Sequence, residues 1–292
     1  MEVTRYSRNI HQMEIGGDYL KLAVIGDIHW DNPKCDREKL KRDLDYCLEH
    51  DIKILGIGDW FCLMQGKGDR RGNKSDIRPE HNNSRYLDSV VETAVEYFSP
   101  YAHLIQVVGY GNHETSIIKH QETDIIARFV DMMNYKNGTK IHSGGYGGWF
   151  LVKMNKSKKE YCNFRIKYFH GSGGGGPVTQ GAINLTRALG KFEGADVYCM
   201  GHVHENSCRV NVRETLKIST TYGPFLHHQE IHQMICGTYK EEWDGGFSGF
   251  HVERGAGIKP IGGRILMLKM IRSQKNKSDR IIKKVDSMQF PH

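Results

Sequence analysis

The sequence predicts an α/β fold on two observations. A strand, a helix and a second strand follow one another between residues 19 and 57, which is the pattern of a βαβ unit with a parallel strand pair and a right-handed crossover. In addition, five candidate strands end alike, with a glycine beside a residue type that binds metal. Carboxyl ends of strands are where open α/β sheets bind ligands.

The elements follow in order. Tyr19 to Ile25, "YLKLAVI", reads as a buried strand ending at Gly26-Asp27. Asp36 to His50 has helical spacing at Leu40, Leu44, Cys47 and Leu48, and Ile52 to Ile57 is a second strand ending at Gly58-Asp59. Residues 66 to 85 are polar and turn-rich, a long loop of the kind that is often functional. A helix is expected over Tyr86 to Phe98, then a strand over Leu104 to Val108 that delivers "GYGNHE". Ile117 to Met133 reads as one amphipathic helix through Ile118, Ile125, Ile126, Phe129 and Val130. Trp149 to Met154 and Phe164 to Phe169 read as strands, the second ending at His170-Gly171. After the turn "HGSGGGGP", a helix near Gln180 to Leu189 and a strand over Val197 to Met200 end at "GHVH". From Arg209 the pattern is β-like, and the segment after Ser273 is polar and basic, expected to be partly disordered with at most a helical turn.

Composition excludes several classes. The chain has 292 residues, 38% hydrophobic and 26% charged, with no apolar run near 18 residues, so neither a membrane span nor a disordered chain is expected. The start, "MEVTRYSRNIHQ", has no apolar core of a signal peptide. Seven scattered cysteines without a CxxC pair fit reduced thiols, and with the N-terminus they lead to a cytoplasmic expectation. A net charge of +7 permits a polyanionic partner without requiring one.

The five strand ends are "GDIH" (Asp27, His29), "GDW" (Asp59), "GNHE" (Asn112, His113), "HG" (His170) and "GHVH" (His202, His204). Singly, an Asp or His after a strand is a turn or cap residue. Asp-x-His and His-x-His are stronger, because residues two apart on extended chain point the same way and reach one ion. Two carboxylates, an amide oxygen and four imidazoles exceed one tetrahedral zinc and suit two first-row ions sharing a bridging Asp. Such a pair activates water and holds phosphoryl oxygens for in-line displacement, so the donor set implies phosphoester hydrolysis by a metal-bound hydroxide.

The ordered pattern DxH, GD, GNHE, H and GHxH, across residues 27 to 204, resembles the calcineurin-like metallophosphoesterase superfamily. The resemblance implies a two-sheet β-sandwich flanked by helices, residues 1 to 272 forming one domain whose β-rich part, 205 to 272, completes the second sheet, followed by a tail from 273 to 292. It implies that Asp27, His29 and His204 bind one metal, that Asn112, His170 and His202 bind the other, and that Asp59 bridges them. His113 would then contact substrate, protonating the leaving oxygen or stabilising the transferring phosphoryl group. The implied cofactors are two divalent ions, Mn²⁺ first, with Fe, Zn, Ni or Mg as alternatives.

Departures from subfamily patterns narrow the substrate. The second motif reads "GDWFCLM" and Tyr110-Gly111 precedes Asn112, unlike the Ser/Thr protein phosphatases. "DIHWD" and Glu114 depart from the repair nucleases without excluding nuclease action, and Glu114 is expected to support or cap rather than ligate. Lys67, Arg70, Arg71, Lys74, Arg78 and Arg85 in the loop read either as a solvated surface or as a phosphate-tracking rim, with Arg70 and Arg71 as the substrate-contact candidates. Trp30 is expected to pack rather than stack a base, and "HHQEIH" (His227, His228, His232) to be surface or cleft rather than a third metal site. "GSGGGGP" lacks Walker spacing and reads as a flexible turn beside His170; Cys199 and Met200 read as strand core. The expectation is a metal-dependent phosphodiesterase with DNA or RNA as partner and no membrane. The rivals are a phosphatase or nucleotide phosphodiesterase on a small substrate, and a non-catalytic interaction module on the same fold.

Overall fold

The structure, a computed structural model, describes residues 2–64, 72, 77–158, 160–176, 178–247, 250–253, 255, 257–275 and 278–291. In chain order, β1 (Val3–Ser7), β2 (Ile10–Gly16), β3 (Tyr19–Ile25), α1 (Arg37–Glu49), β4 (Lys53–Gly56), α2 (Tyr86–Phe98) and β5 (Ile105–Val108) form the first part. Next come α3 (Asn112–Gln121), α4 (Ile125–Asn137), β6 (His142–Ser143), β7 (Gly147–Asn155), β8 (Tyr161–Phe169), α5 (Ala182–Lys191) and β9 (Val197–Met200). The last are β10 (Ser207–Ser219), β11 (Gly223–Ile235), α6 (Phe250–Glu253), β12 (Arg264–Lys275) and β13 (Ser278–Gln289).

The strands make two sheets, β1-β2-β7-β8-β9-β11-β10 and β13-β12-β3-β4-β5-β6. Both inner faces are apolar every second residue. Leu20, Leu22 and Val24 of β3 meet Phe164 and Ile166 of β8 and Val197 and Cys199 of β9 in one core between the sheets. The alternate residues face outward: Ala23, Ile25, Ile54 and Ile105 pack beneath α1 to α4, while Tyr198, Met200 and Ile235 pack on Leu185 and Ala188 of α5. The result is a two-sheet sandwich with helices on both outer faces, and β4, β5, β9 and most of β3 are buried on two sides, as their continuous apolar runs require.

Local chemistry sets the boundaries. The Asp36 side chain accepts from the Lys39 N–H at 2.8 Å and starts α1. The single helix expected over 117 to 133 is two: Glu122 adopts φ 52°, ending α3, and Asp124 accepts from the Ala127 N–H at 2.9 Å to start α4. The motif "NHE" is the first turn of α3, not a free turn before a helix.

Three expectations change. Polar, basic residues 278 to 289 form β13 instead of a disordered tail, because pairing with β12 from Arg264↔Gln289 to Lys275↔Ser278 supplies the backbone partners that composition does not advertise. The β-rich region after residue 205 does not complete one sheet but divides: β10 and β11 extend the seven-stranded sheet, and β12 joins β3 in the other. The first sixteen residues, given no structure from sequence, provide β1 and β2. Among the described residues no helix is long and apolar enough to cross a membrane.

Candidate metal centre

Strands β3, β4 and β5 of one sheet and β8 and β9 of the other run out at the same end of the sandwich, and the residues just beyond them converge. Asp27, His29 and His204 bring one potential ligand atom each within 4.8 Å of one another, and so do Asp59, His170 and His202. His204 Nε2 lies 3.4 Å from Asp27 Oδ1 and 3.4 Å from His29 Nε2. His170 Nε2 lies 3.1 Å from Asp59 Oδ2. Asn112 Oδ1 sits 3.2 Å from His170 Nε2 and 2.8 Å from His202 Nδ1, so the amide oxygen joins the second group. All seven sequence-derived donors meet.

The backbone is strained to hold them. Nine described non-glycine residues have positive φ, and five are donors: Asp27 (51°), His29 (51°), Asp59 (48°), His202 (69°) and His204 (56°). Each such residue costs of order 1 kcal/mol or more, and a concentration of that cost at one spot marks a functional site. The glycines in the pattern make room. A Cβ on Gly111 would strike the Asp59 carboxylate, and one on Gly201 would strike the Asp27 carboxylate. Gly58, at φ 107°, would put a Cβ 2.7 Å from His170 Nδ1.

Surrounding groups orient the donors. The His202 N–H donates to Asp27 at 3.0 Å, and the His113 N–H to Asp59 Oδ1 at 3.1 Å. His170 Nδ1 bonds the Ile57 carbonyl at 3.1 Å, which fixes its proton there and turns Nε2 toward Asp59 and Asn112. The Thr238 hydroxyl and the Tyr239 N–H both donate to the Asp27 carbonyl, at 2.8 and 2.9 Å.

Electrostatics fit a cation. Burial, reinforced by neighbouring His113, pushes the His29 imidazole well below its ordinary value, so it is neutral, the form that ligates. Burial and the His170 ring lower His202 likewise. Burial opposes ionisation of Asp59, yet the adjacent His170 and His113 rings hold its carboxyl well below the usual range. His170 is itself pushed up to about 9, burial being outweighed by Asp59 beside it. A cation between Asp59 and His170 would take the place of that proton, as ligand protons are released on metal binding. His29 Nδ1 has no hydrogen-bond partner although it is buried. The donor set and its charge therefore fit a pair of divalent ions.

His113 belongs to neither donor trio but borders both. Its Nδ1 bonds the Cys62 carbonyl, its Nε2 is 3.8 Å from Asp59 Oδ2, and its ring meets His29 edge-on at 4.8 Å. It also falls in a grouping with His29 and the Cys62 sulfur. Burial drives the Cys62 thiol far upward, keeping it protonated and a poor ligand.

Glu114 supports, as expected. Its buried carboxylate accepts from the Gly111 N–H (2.7 Å), the Phe61 N–H (3.0 Å) and the Asp59 N–H (3.2 Å), tying the GNHE turn to the GD turn. Burial and the nearby Asp59 charge push it up to about 8. Asp31 is the residue that sequence reasoning missed. Its Oδ1 accepts from the Cys62 N–H (2.6 Å), and its Oδ2 from the Leu63 N–H (2.8 Å) and the Tyr86 hydroxyl (2.6 Å). It lies two residues beyond His29 in "DIHWD", where no spacing in the sequence sets it apart from any other aspartate.

Other candidates resolve differently. Trp30 is packing: buried, its Nε1–H donates to Thr93 at 3.1 Å and Arg37 lies over its ring. Arg70 and Arg71, with Lys67 and Lys74, lie outside the described residues. Arg78 donates to the Asn32 and Cys35 carbonyls at 2.9 and 2.8 Å and so is engaged within the fold, while Arg85 makes an exposed ion pair with Glu92 at 2.6 Å. His228 pairs with Glu214 at 2.9 Å beside a cleft of about 580 Å³ that His227 and His232 also line, and no metal-ligand grouping occurs there among the described residues.

No protein-family model and no curated protein matches the sequence. Among the solved structures that match, two align over most of the chain. Vps29 of Chaetomium thermophilum is 11% identical with a TM-score of 0.33, covering 93% of this chain and 100% of its own. The other, titled "GAP50 the anchor in the inner membrane complex of Plasmodium", is 12% identical with a TM-score of 0.41, covering 94% of this chain and 90% of its own. At those scores neither likeness bears on the chemistry, for which the geometry above is the basis.

Proposed function

We propose that the protein is a divalent-metal-dependent phosphoesterase that hydrolyses phosphodiesters, with DNA or RNA as its substrate class. The observation that carries this is the convergence of seven donors from five strand ends, five of them on left-handed backbone. Asp27, His29 and His204 would hold one cation, Asn112, His170 and His202 the other, and Asp59 would lie between them. Two such ions, Mn²⁺ above all, supply Lewis-acid charge and a water activated near neutral pH.

The chain's own residues do the rest. His113, with Nδ1 held by the Cys62 carbonyl, presents its other nitrogen on the Asp59 side, where it gives a proton to the leaving oxygen. Glu114 and Asp31 hold the two turns that carry Asn112, His113 and Asp59. The net charge of +7 permits a polyanionic substrate, and the cations between 67 and 74 would track its phosphates. The structural engagement of Arg78 favours a small phosphorylated substrate as the second reading.

Protein purified with Mn²⁺ is to be given a diester reporter, a monoester reporter and labelled single- and double-stranded DNA. Diester and DNA turnover is expected; monoester turnover alone would overturn the diesterase reading. Asn112→Ala and His204→Ala should lose metal and activity together. His113→Ala should keep metal and lose turnover by roughly 10²-fold or more; loss of metal in that variant would undo its assigned role.

A further inference from the structure

The hairpin of β10 and β11 runs without interruption from Ser207↔Ile235 to Ser219↔Gly223, while β9 pairs only with the last four residues of β11, from His232 to Ile235. The rest of the hairpin projects past the Val197 end of β9, away from the metal centre beyond Met200. One face of it continues the inner side of its sheet, the side on which Met234 joins the core. Beyond that core no described residue covers it: Val210 is 51% exposed, Val212 64%, Leu216 64%, Ile218 80% and Leu226 58%. Scattered surface hydrophobics need no explanation, but these five share one face of the hairpin, four on β10 and Leu226 on β11, on either side of the Glu214–His228 pair, an apolar patch of the kind that marks an interface.

The strand beside that patch is also open. β10 ends its sheet and has no proline or bulge along thirteen residues, so it lacks two of the devices that keep edge strands from pairing. We propose that β10 pairs antiparallel with β10 of a second copy of this chain, making one continuous sheet across a two-fold axis.

The sequence of β10 selects the register. A two-fold normal to the sheet sets one residue opposite itself and pairs the others symmetrically about it. Centring on Arg213 opposes two arginines and sets Arg209 against Lys217; centring on Thr215 sets Arg213 against Lys217; centring on Asn211 sets Arg209 against Arg213. Centring on Val212 avoids those clashes but sets Val210 against Glu214. Centring on Glu214 matches Val212 with Leu216 and Val210 with Ile218, apolar against apolar on the exposed face. On the other face it sets Arg213 against Thr215, Asn211 against Lys217 and Arg209 against Ser219, so no two cations meet. Its one like-charge contact, Glu214 with its copy, is moderated because each carboxylate already pairs with His228 of its own chain at 2.9 Å. This self-complementarity is what favours a second copy over an unrelated partner.

The test uses the full chain and does not depend on the proposed reaction. Sedimentation equilibrium should show a dimer at micromolar concentration. Val212→Lys with Leu216→Lys should weaken it on the order of 100-fold while metal content and circular dichroism stay unchanged. Register is read by single cysteines placed at 210, 212, 214, 216 and 218 in a Cys208→Ser background, since Cys208 is the exposed native thiol. Opposed Cα atoms in antiparallel strands are about 4.5 to 5.5 Å apart, within disulfide reach. Glu214→Cys should therefore oxidise to a covalent dimer. Val212→Cys should not, because its copy would lie four residues, roughly 13 Å, along the strand. A monomer at all concentrations would overturn the proposal and leave the face to a different partner; a dimer cross-linking best at another position would overturn the register.

Discussion

Replacing Asp31 by asparagine tests whether the metal centre is held by a buried carboxylate that ligates nothing. Three donors converge on Asp31: the Cys62 N–H on Oδ1 at 2.6 Å, and the Leu63 N–H and Tyr86 hydroxyl on Oδ2 at 2.8 and 2.6 Å. An amide has one oxygen, so the best rotamer of the substituted side chain keeps two of these contacts without charge and turns its NH₂ against the third donor. An orphaned buried donor costs about 1–3 kcal/mol, and weakening two charged hydrogen bonds about 0.5–1 each, roughly 3 kcal/mol in all. For a chain of this size that lowers the melting temperature by about 6–10 °C. The same change releases the Cys62 peptide, whose carbonyl receives His113 Nδ1, so turnover should fall with metal content intact. Thermal melts, diester assays and elemental analysis read the three effects. A melting point within about 2 °C of the parent, well inside the shift expected for this size, with unchanged turnover, would refute this account of how His113 is positioned.

Gly201→Ala and Gly111→Ala should each lower metal affinity about 10–100-fold, measured by calorimetry, because the added methyl meets the carboxylate of Asp27 or Asp59. His11 gives a pH dependence unrelated to the site. Burial, with His142 and Arg5 nearby, lowers its value from 6.5 to about 4, and neither ring nitrogen has a hydrogen-bond partner. Between those values the unfolded chain binds a proton that the folded chain refuses, so stability is full above pH 6.5 and declines toward pH 4. After allowing for solvent screening the loss is roughly 2 kcal/mol, and His11→Phe should flatten that part of the urea-unfolding profile between about pH 4 and 7.

The strands that carry donors were legible because burial on both faces leaves plain apolar runs, as in "YLKLAVI", and glycine marks their ends. β13 was not, since an outer strand with Lys283, Lys284 and Asp286 reads as a solvated tail until β12 is seen beside it. The break between α3 and α4 was hidden by apolar spacing that continues across it, although Asp124 was a cap signal in plain sight. In the site, the donors that converge announced themselves by type and spacing. Asp31 and the Cys62 carbonyl did not, because a carboxylate that binds backbone looks in sequence like any other aspartate, and a carbonyl has no signature.

The most direct test of the central claim is turnover of a diester reporter by metal-stripped protein as Mn²⁺ is added in known equivalents per chain. The account predicts that activity rises and levels off at two equivalents. Activity that is unchanged by stripping, or absent at every equivalent of any of the named metals, would contradict it.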